Sequence, residues 1–476
     1  MSFPFGTIFG PRAVDSKGGR PLGLSLDSGA PIFAPKGAHS CTYAPNGAGK
    51  TTSVAMPGLL SFIASEPEKG VLVSDPKDGE IAAQAVPMLQ WLGRKVAVID
   101  DFNVRPELRA RRVALNAFGA PVSTFERDPQ DLLYANELVS QSLIEEPPDQ
   151  DQRNFYFRQS PRILIEFGVS AALKRSTALT TPGAVSVLLS DVEMLLSFAE
   201  IEAEEGDPAL QAQARSVLEM KGHEHFAMHV GEAKRALRQW GPGSRLAEAG
   251  SNATLSHEDL IREGYVIFLV GPQALMSKLG PYYALHLGAF TQALYQNIGS
   301  LRVIADEYTN SPLKSFLGQA MTTVRAFGGE FHLIAQSRSE VLRKYGQELT
   351  ETIEDNCITT QWLGFGLKEA ERVSKAMGEQ HAVATGLSGD TGGLKAQTNL
   401  SLIKQAWMSP AELMAMPKGI QLIHIKGLGF FLARTVSQAQ IAPYNALLAE
   451  NPLEGGRLKP DTKIRFVTPK ARGGRR

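Results

Sequence analysis

The chain has 476 residues, enough for two or three domains with separate hydrophobic cores. Apolar residues make up 43% and charged residues 21%, which is ordinary for a globular protein and excludes a disordered or fibrous one. Its 49 basic residues equal its 49 acidic residues, so any contact with nucleic acid must use a local patch or a pore.

Short apolar strands alternate with helices along most of the chain. The first forty residues are rich in Gly and Pro and are expected to lie over the surface. Runs rich in Val, Ile and Leu are typical of strands buried on both faces, and they predict strands at 39–44, 70–74, 95–100, 265–270, 301–305, 330–335, 358–363 and 419–425. This alternation predicts an α/β fold with a mostly parallel sheet covered by helices.

The alternation stops between residues 120 and 250. Apolar residues at helical spacing predict helices at 129–142, 155–173, 184–199, 209–220 and 227–238. We therefore divide the chain into an α/β domain built from 1–119 and 251–450, an inserted all-α domain at 120–250, and a flexible basic tail at 451–476. The tail could touch nucleic acid or an acidic partner, or be simply solvated.

A phosphate-binding loop follows the strand predicted at 39–44. Small residues let backbone N–H groups converge on phosphate oxygens, and the following helix adds the positive end of its dipole. We expect Lys50 to reach the β- and γ-phosphates of ATP and the Thr51 hydroxyl to coordinate Mg²⁺. The predicted nucleotide-binding residues are Ala44, Pro45, Asn46, Gly47, Ala48, Gly49, Lys50, Thr51 and Thr52. Ala44 stands where the usual pattern has glycine.

Hydrolysis also needs carboxylates, and the strand predicted at 301–305 ends in Asp306 and Glu307. Asp306 is expected to hold Mg²⁺, and Glu307 to polarise the attacking water. The pair favours an ATPase over a small-molecule kinase, because a kinase needs no activated water.

Two further polar residues are candidates for catalysis. Gln336 follows the strand predicted at 330–335, where its amide could contact the γ-phosphate or the lytic water, or be a plain strand-end residue. Arg325 at a predicted helix end could neutralise transition-state charge, within the subunit or across an interface. It could equally be an ordinary helix C-terminal charge.

The order of these motifs resembles the TraG/TraD-like coupling ATPases of type IV secretion and conjugation. The likeness covers roughly residues 30–445. Besides the phosphate-binding loop, the ordered set is Val71-Leu-Val-Ser-Asp75-Pro-Lys77-Asp-Gly-Glu80, Ala114-Leu-Asn116-Ala-Phe118, Ala305-Asp-Glu-Tyr308, Arg325-Ala-Phe-Gly-Gly329, Ile334-Ala-Gln-Ser337, Tyr345-Gly346, Ile353-Glu-Asp-Asn356-Cys357, Glu369-Ala-Glu-Arg-Val-Ser374 with Met377-Gly378, and Met408-Ser-Pro-Ala-Glu-Leu-Met-Ala-Met-Pro-Lys-Gly419.

This resemblance implies a RecA-like P-loop core with an all-α domain, assembled as a homohexamer. It implies ATP and Mg²⁺ as cofactors, and DNA–relaxase complexes or secreted proteins as cargo for a type IV secretion channel. The family's site roles carry over to Lys50, Thr51, Asp306, Glu307 and Gln336, and also to Arg325. Two features depart from the family: the loop from Asp75 to Glu80 is one residue longer, and we expect none of the family's usual N-terminal transmembrane helices in this sequence.

We predict a cytoplasmic protein, either free or peripheral at the inner face of the bacterial inner membrane through an anchored partner. No run of about 18 apolar residues occurs, the N-terminus does not resemble a signal peptide, and the sequence has only two cysteines, Cys41 and Cys357. Two other functions remain open: a double-stranded DNA pump of the chromosome-segregation type, and a cargo receptor whose ATP site serves assembly.

Overall fold

The computed structural model describes residues 12–14, 19–145, 155–310, 314–388, 397–456 and 458–466. The first part of the chain alternates strands and helices: β1 (Arg12–Val14), β2 (Pro21–Ser25), β3 (Pro31–Phe33), β4 (Ser40–Tyr43), α1 (Met56–Ser65), β5 (Gly70–Asp75), α2 (Glu80–Trp91) and β6 (Val96–Ile99).

The next stretch forms helices: α3 (Gly119–Arg127), α4 (Leu132–Leu143), α5 (Phe155–Arg175), α6 (Pro182–Ser190), α7 (Val192–Glu205), α8 (Pro208–Lys221), α9 (Phe226–Leu237) and α10 (His257–Arg262). The single helix predicted at 184–199 is wrong. Asp191 has an extended backbone, and its side chain accepts a hydrogen bond from the Met194 N–H at 3.0 Å. Asp191 is therefore the N-cap of a second helix. The domain boundaries at 120 and 250 stay predictions.

The remaining elements return to the sheet: β7 (Val266–Val270), α11 (Gly280–Leu294), β8 (Leu301–Ala305), α12 (Lys314–Thr323), β9 (Gly329–Ala335), α13 (Arg338–Asn356), β10 (Thr359–Trp362), α14 (Leu367–Met377), β11 (Glu379–Ser388), β12 (Gln397–Ala406), α15 (Pro410–Met414), β13 (Ile420–Ile425), β14 (Gly429–Arg434), β15 (Ile441–Ala442) and β16 (Ile464–Phe466). All eight predicted strands are present. The antiparallel hairpin of β11 and β12 was not predicted.

The main sheet has the strand order β3-β2-β14-β13-β10-β4-β9-β8-β5-β7-β6. Pairing is parallel from β10 to β6 and antiparallel from β3 to β10. Because parallel strands end at one edge, the residues that follow β4, β9, β8 and β5 lie next to one another. Ligands of open α/β sheets bind at this edge.

The two faces of the sheet are covered by different helices. Along β5, Val71 and Val73 pack in a core with α1 and α2, whereas Leu72 packs in the core on the opposite face. Phe290 of α11 and Phe167 of the helical stretch belong to that second core. The helical stretch is thus joined to the sheet by continuous apolar packing. No helix among the described ranges is long and apolar enough to cross a membrane.

Two expectations about the chain ends do not hold for the residues that the structure describes there. Part of the N-terminal region forms β2 and β3 at the edge of the main sheet, where Leu22 is fully buried. The stretch predicted as a flexible tail is described over 451–456 and 458–466 and includes β16, whereas residues 457 and 467–476 of that prediction lie outside the described residues. Within it, β16 pairs with β1 and β15, and Ile464 and Phe466 are buried. The few apolar residues of this stretch are enough to dock it.

Candidate nucleotide-binding site

The predicted phosphate-binding loop connects β4 to α1 through one wide turn of helix, Thr51–Ala55. Gly47 and Gly49 have φ angles of 75° and 88°, which favour glycine. Ala44 is fully buried, and its N–H donates to the carbonyl oxygen of Ala335 at 3.0 Å. The loop therefore begins on a backbone fixed to β9, and it accommodates alanine at its first position.

Asp306 and Glu307 follow β8 and are both buried, at 3% and 2% exposure. Glu307 has a φ of 51°, which is unusual for a residue with a side chain and is typical of functional sites. Burial raises the pKa of Asp306. Burial also acts on Glu307, but the charges of Lys77 and Lys50 outweigh it and lower its pKa. Glu307 is therefore held ionised, as a base toward water must be.

Two lysines neutralise these acids. Lys50 Nζ lies 2.5 Å from Glu307 Oε1, and both side chains are buried. Lys77 Nζ lies 3.0 Å from Asp306 Oδ2 and 3.1 Å from Glu307 Oε1. Lys77 received no role from its sequence motif. The strand pairing is the signal that would have found it, because Lys77 follows β5 and β5 is the neighbour of β8.

Gln336 follows β9 and also reaches the acidic pair. Its Nε2 lies 3.4 Å and 3.3 Å from the two carboxylate oxygens of Glu307. The amide thus lies beside the predicted base, where it could contact the γ-phosphate or the lytic water. The P-loop lysine, both acids and this amide form one connected cluster.

Arg325 lies far from this cluster. It is exposed in a short turn before β9, whereas Gln336 follows the same strand. Seven extended residues separate the two ends by about 20 Å. Burial and, secondarily, the nearby charge of Arg325 lower the pKa of His39 to about 4, and His39 precedes β4 at the same far edge. Arg325 therefore cannot serve the nucleotide site of its own subunit.

The longer loop after β5 places Glu80 beside the phosphate-binding loop. Asp78 and Gly79 both have positive φ, at 52° and 65°, and absorb the additional residue. Glu80 is the first residue of α2 and is 6% exposed. Its Oε2 accepts a hydrogen bond from the Thr51 hydroxyl at 3.1 Å. Thr52 contacts the loop itself, with its hydroxyl 3.5 Å from the Gly49 carbonyl oxygen.

The predicted magnesium ligands fit a divalent cation. Oδ1 of Asp306 is buried and has no hydrogen-bond partner among the described residues, so a ligand oxygen is available. Burial raises the pKa of Asp75, and the nearby charges of Asp306 and Glu80 raise it further, which places the three carboxylates in one region with Thr51. Hydroxyl and carboxylate oxygens are the ligands that Mg²⁺ prefers.

The family model for type IV secretory system conjugative DNA transfer matches residues 6–431. The chain belongs to this family. The family identification made from the ordered motifs is thereby confirmed. Among curated protein sequences, no relative matches the chain.

Solved structures of the bacterial conjugative coupling protein TrwB share the fold. Unbound TrwBdeltaN70 has a TM-score of 0.64 at 16% identity, covering 88% of each chain. TrwB with ADP and Mg²⁺ has a TM-score of 0.63 at 14% identity, covering 92% of this chain and 96% of that one. VirB4 of Thermoanaerobacter pseudethanolicus has a TM-score of 0.54 at 14% identity, covering 92% and 100%. The predicted fold class, a P-loop core with an all-α domain, is confirmed.

Proposed function

We propose that this member of the family is an ATP-hydrolysing coupling protein. In our proposal it works as a homohexamer and brings relaxase-bound DNA, secreted proteins or both to a type IV secretion channel. The observation that carries the ATPase proposal is the connected cluster of Lys50, Lys77, Asp306, Glu307 and Gln336, in which Lys50 and both acids are buried. Family membership supports the coupling role.

ATP would bind with its phosphates over the loop. Lys50 would then pair with these phosphates instead of with Glu307. Glu307 would then be free to accept a proton from a water molecule that attacks the γ-phosphorus. A bond forms between the water oxygen and that phosphorus while the bond to the β-phosphate oxygen breaks, giving ADP and phosphate. Gln336, beside Glu307, would orient the water.

Thr51 and Asp306 would hold Mg²⁺, which supplies positive charge to the β- and γ-phosphate oxygens when bound. Once nucleotide is present, Lys77 would keep Asp306 and Glu307 ionised. It would also keep these acids from pairing with Lys50 again. Because Lys77 comes from a neighbouring strand, it can hold the acids while Lys50 binds phosphate.

Arg325 supports the proposed ring. It is exposed, remote from its own subunit's site, and part of a motif that resembles the family's. We propose that it completes the site of an adjacent subunit, so that hydrolysis depends on assembly. A membrane-anchored partner would bring the hexamer to the inner face of the bacterial inner membrane.

ATP turnover measured alone, with single-stranded DNA and with double-stranded DNA tests the proposal. We expect hydrolysis that DNA stimulates, together with a homohexamer seen by electron microscopy. Nucleotide binding without turnover under all three conditions would contradict the motor and favour a cargo receptor. Stimulation by double-stranded DNA alone, in a protein that binds no relaxase, would favour a chromosome-segregation pump.

A further inference from the structure

Glu80 links the phosphate-binding loop to the C-terminal part of the chain. One carboxylate oxygen accepts from the Thr51 hydroxyl at 3.1 Å, and the other accepts from Asn451 Nδ2 at 2.8 Å. All three residues are buried, with exposures of 9%, 6% and 9% for Thr51, Glu80 and Asn451. A buried line of hydrogen bonds therefore joins the two regions.

The direction of each hydrogen bond in this line is fixed. Asn451 Oδ1 accepts from the backbone N–H groups of Leu453 and Glu454, at 2.8 Å and 3.3 Å. The NH₂ group must therefore face Glu80. A threonine hydroxyl has one proton, and Glu80 as a carboxylate can only accept it. The lone pairs of the Thr51 oxygen are left to point away from Glu80.

The segment that carries Asn451 is firmly attached to α2. The Ala449 N–H donates to the carbonyl oxygen of Gln84 at 3.0 Å, and Gln438 Nε2 donates to Gln84 Oε1 at 2.8 Å. Tyr444 and Leu448 are buried in the core that also contains α1 and α2. We call residues 438–456 the C-terminal clamp, because they hold Asn451 against the start of α2.

We propose that Glu80 is a positioning residue for magnesium at Thr51, and that the C-terminal clamp holds Glu80 in place through Asn451. The inference rests on the proposed ATPase function. A carboxylate that accepts the hydroxyl proton orients the oxygen lone pairs toward the metal and makes that oxygen a better ligand. Groups that support metal ligands in this way typically contribute about 10- to 100-fold to metal affinity.

Two near-isosteric substitutions separate this role from simple packing. Glu80→Gln places an NH₂ group against either Thr51 or the NH₂ group of Asn451. Asn451→Asp keeps the acceptor for Leu453 and Glu454 but turns a carboxylate oxygen toward Glu80. In the double variant the new amide at position 80 can donate to the new carboxylate at position 451 while the amide oxygen accepts from Thr51. The original pair of hydrogen bonds is then restored, with the carboxylate and the amide exchanged between positions 80 and 451. Glu454→Gln is the control, because this exposed residue of the same clamp has no described side-chain contact with Glu80.

Binding of a fluorescent ADP analogue to the full chain, titrated with Mg²⁺, measures the effect without turnover. We expect each single variant to raise the half-saturating Mg²⁺ concentration about tenfold. Affinity in EDTA should stay within about twofold of the unsubstituted protein, because the loop itself is unchanged. The double variant should recover most of the loss, and Glu454→Gln should behave like the unsubstituted protein.

The outcomes distinguish the inference from the proposed function. Nucleotide binding by the unsubstituted protein that does not depend on Mg²⁺ would contradict the proposed site itself. A normal response that Glu80→Gln leaves unchanged would overturn only the role of Glu80. Equal losses of affinity in EDTA and in Mg²⁺, with no recovery in the double variant, would show that the contact merely supports folding and would also overturn the inference.

Discussion

Replacing Lys77 with methionine should destabilise the nucleotide-free protein. The substitution keeps most of the side-chain length but removes the charge that lies 3.0 Å from Asp306 and 3.1 Å from Glu307. Removing one partner of a buried ion pair costs about 3 to 5 kcal/mol. Because Lys50 still neutralises Glu307, we expect the lower value, about 3 kcal/mol in the free energy of unfolding.

The loss should depend on pH in a defined direction. Burial already raises the pKa of Asp306, and Lys77 opposes that rise, so the Lys77→Met variant raises it further. A carboxyl group whose pKa is higher in the folded than in the unfolded state destabilises the fold above its unfolded pKa. Protonation removes this cost as the pH falls through the folded pKa. The loss is therefore larger at about pH 8 than at about pH 5.

Thermal unfolding in EDTA measures this loss. For a chain of 476 residues, an unfolding entropy of about 2.1 cal/mol/K per residue makes about 3 kcal/mol correspond to a decrease of about 3 °C in Tm at about pH 8. The matched control is Lys77→Met combined with Asp306→Asn, which removes the uncompensated charge and should recover most of the decrease. An unchanged Tm for Lys77→Met at the higher pH, or an equal decrease at both pH values, would refute the reasoning.

Three further substitutions test other parts of the site. Gln336→Ala should lower kcat about 10- to 100-fold while nucleotide affinity stays within about twofold, because the amide contacts Glu307 and not the loop; an affinity loss as large as the kcat loss would contradict this. Arg325→Ala should be inactive alone but regain activity when mixed with Lys50→Ala subunits, which supply the arginine; a mixture no more active than its components would exclude an arginine that acts across the interface. Burial raises the pKa of Asp75 to about 7, above its unfolded value, so this carboxyl destabilises the fold increasingly from about pH 4 to about pH 7. Asp75→Asn should therefore show a smaller decrease in Tm between about pH 5 and about pH 8 than the unsubstituted protein, and an equal decrease would show that Asp75 is not the group responsible.

Much of the fold could be predicted because its signals are local. A strand buried on both faces is signalled by a mostly apolar run, and the run at β7 is uninterrupted, whereas β8 contains Arg302. The loop from Ala44 to Thr51 and the pair Asp306 and Glu307 directly follow two of the predicted strands, β4 and β8. Their proximity needed only the rule that parallel strands end at one edge of the sheet.

The errors arose where position depends on distant contacts. Lys77 acts because β5 lies beside β8, and Asn451 because the chain returns to α2 from far along the sequence. The sequence allows Arg325 to serve either the nucleotide site of its own subunit or that of an adjacent subunit. Only the length of β9 excludes the site of its own subunit. The division of one predicted helix at Asp191 is instead a local error, because it depends on a side-chain cap that joins Asp191 to Met194 three residues later. No periodicity in the sequence encodes these contacts.

ATP hydrolysis by the purified unsubstituted protein and by its Lys50→Ala and Glu307→Gln variants tests the central claim most directly. We predict turnover in the unsubstituted protein and its loss in both variants. Glu307→Gln should still bind nucleotide, because its loop and Lys50 are intact, whereas Lys50→Ala should bind it poorly. Undiminished turnover in both variants would contradict the assignment of this cluster as the catalytic site.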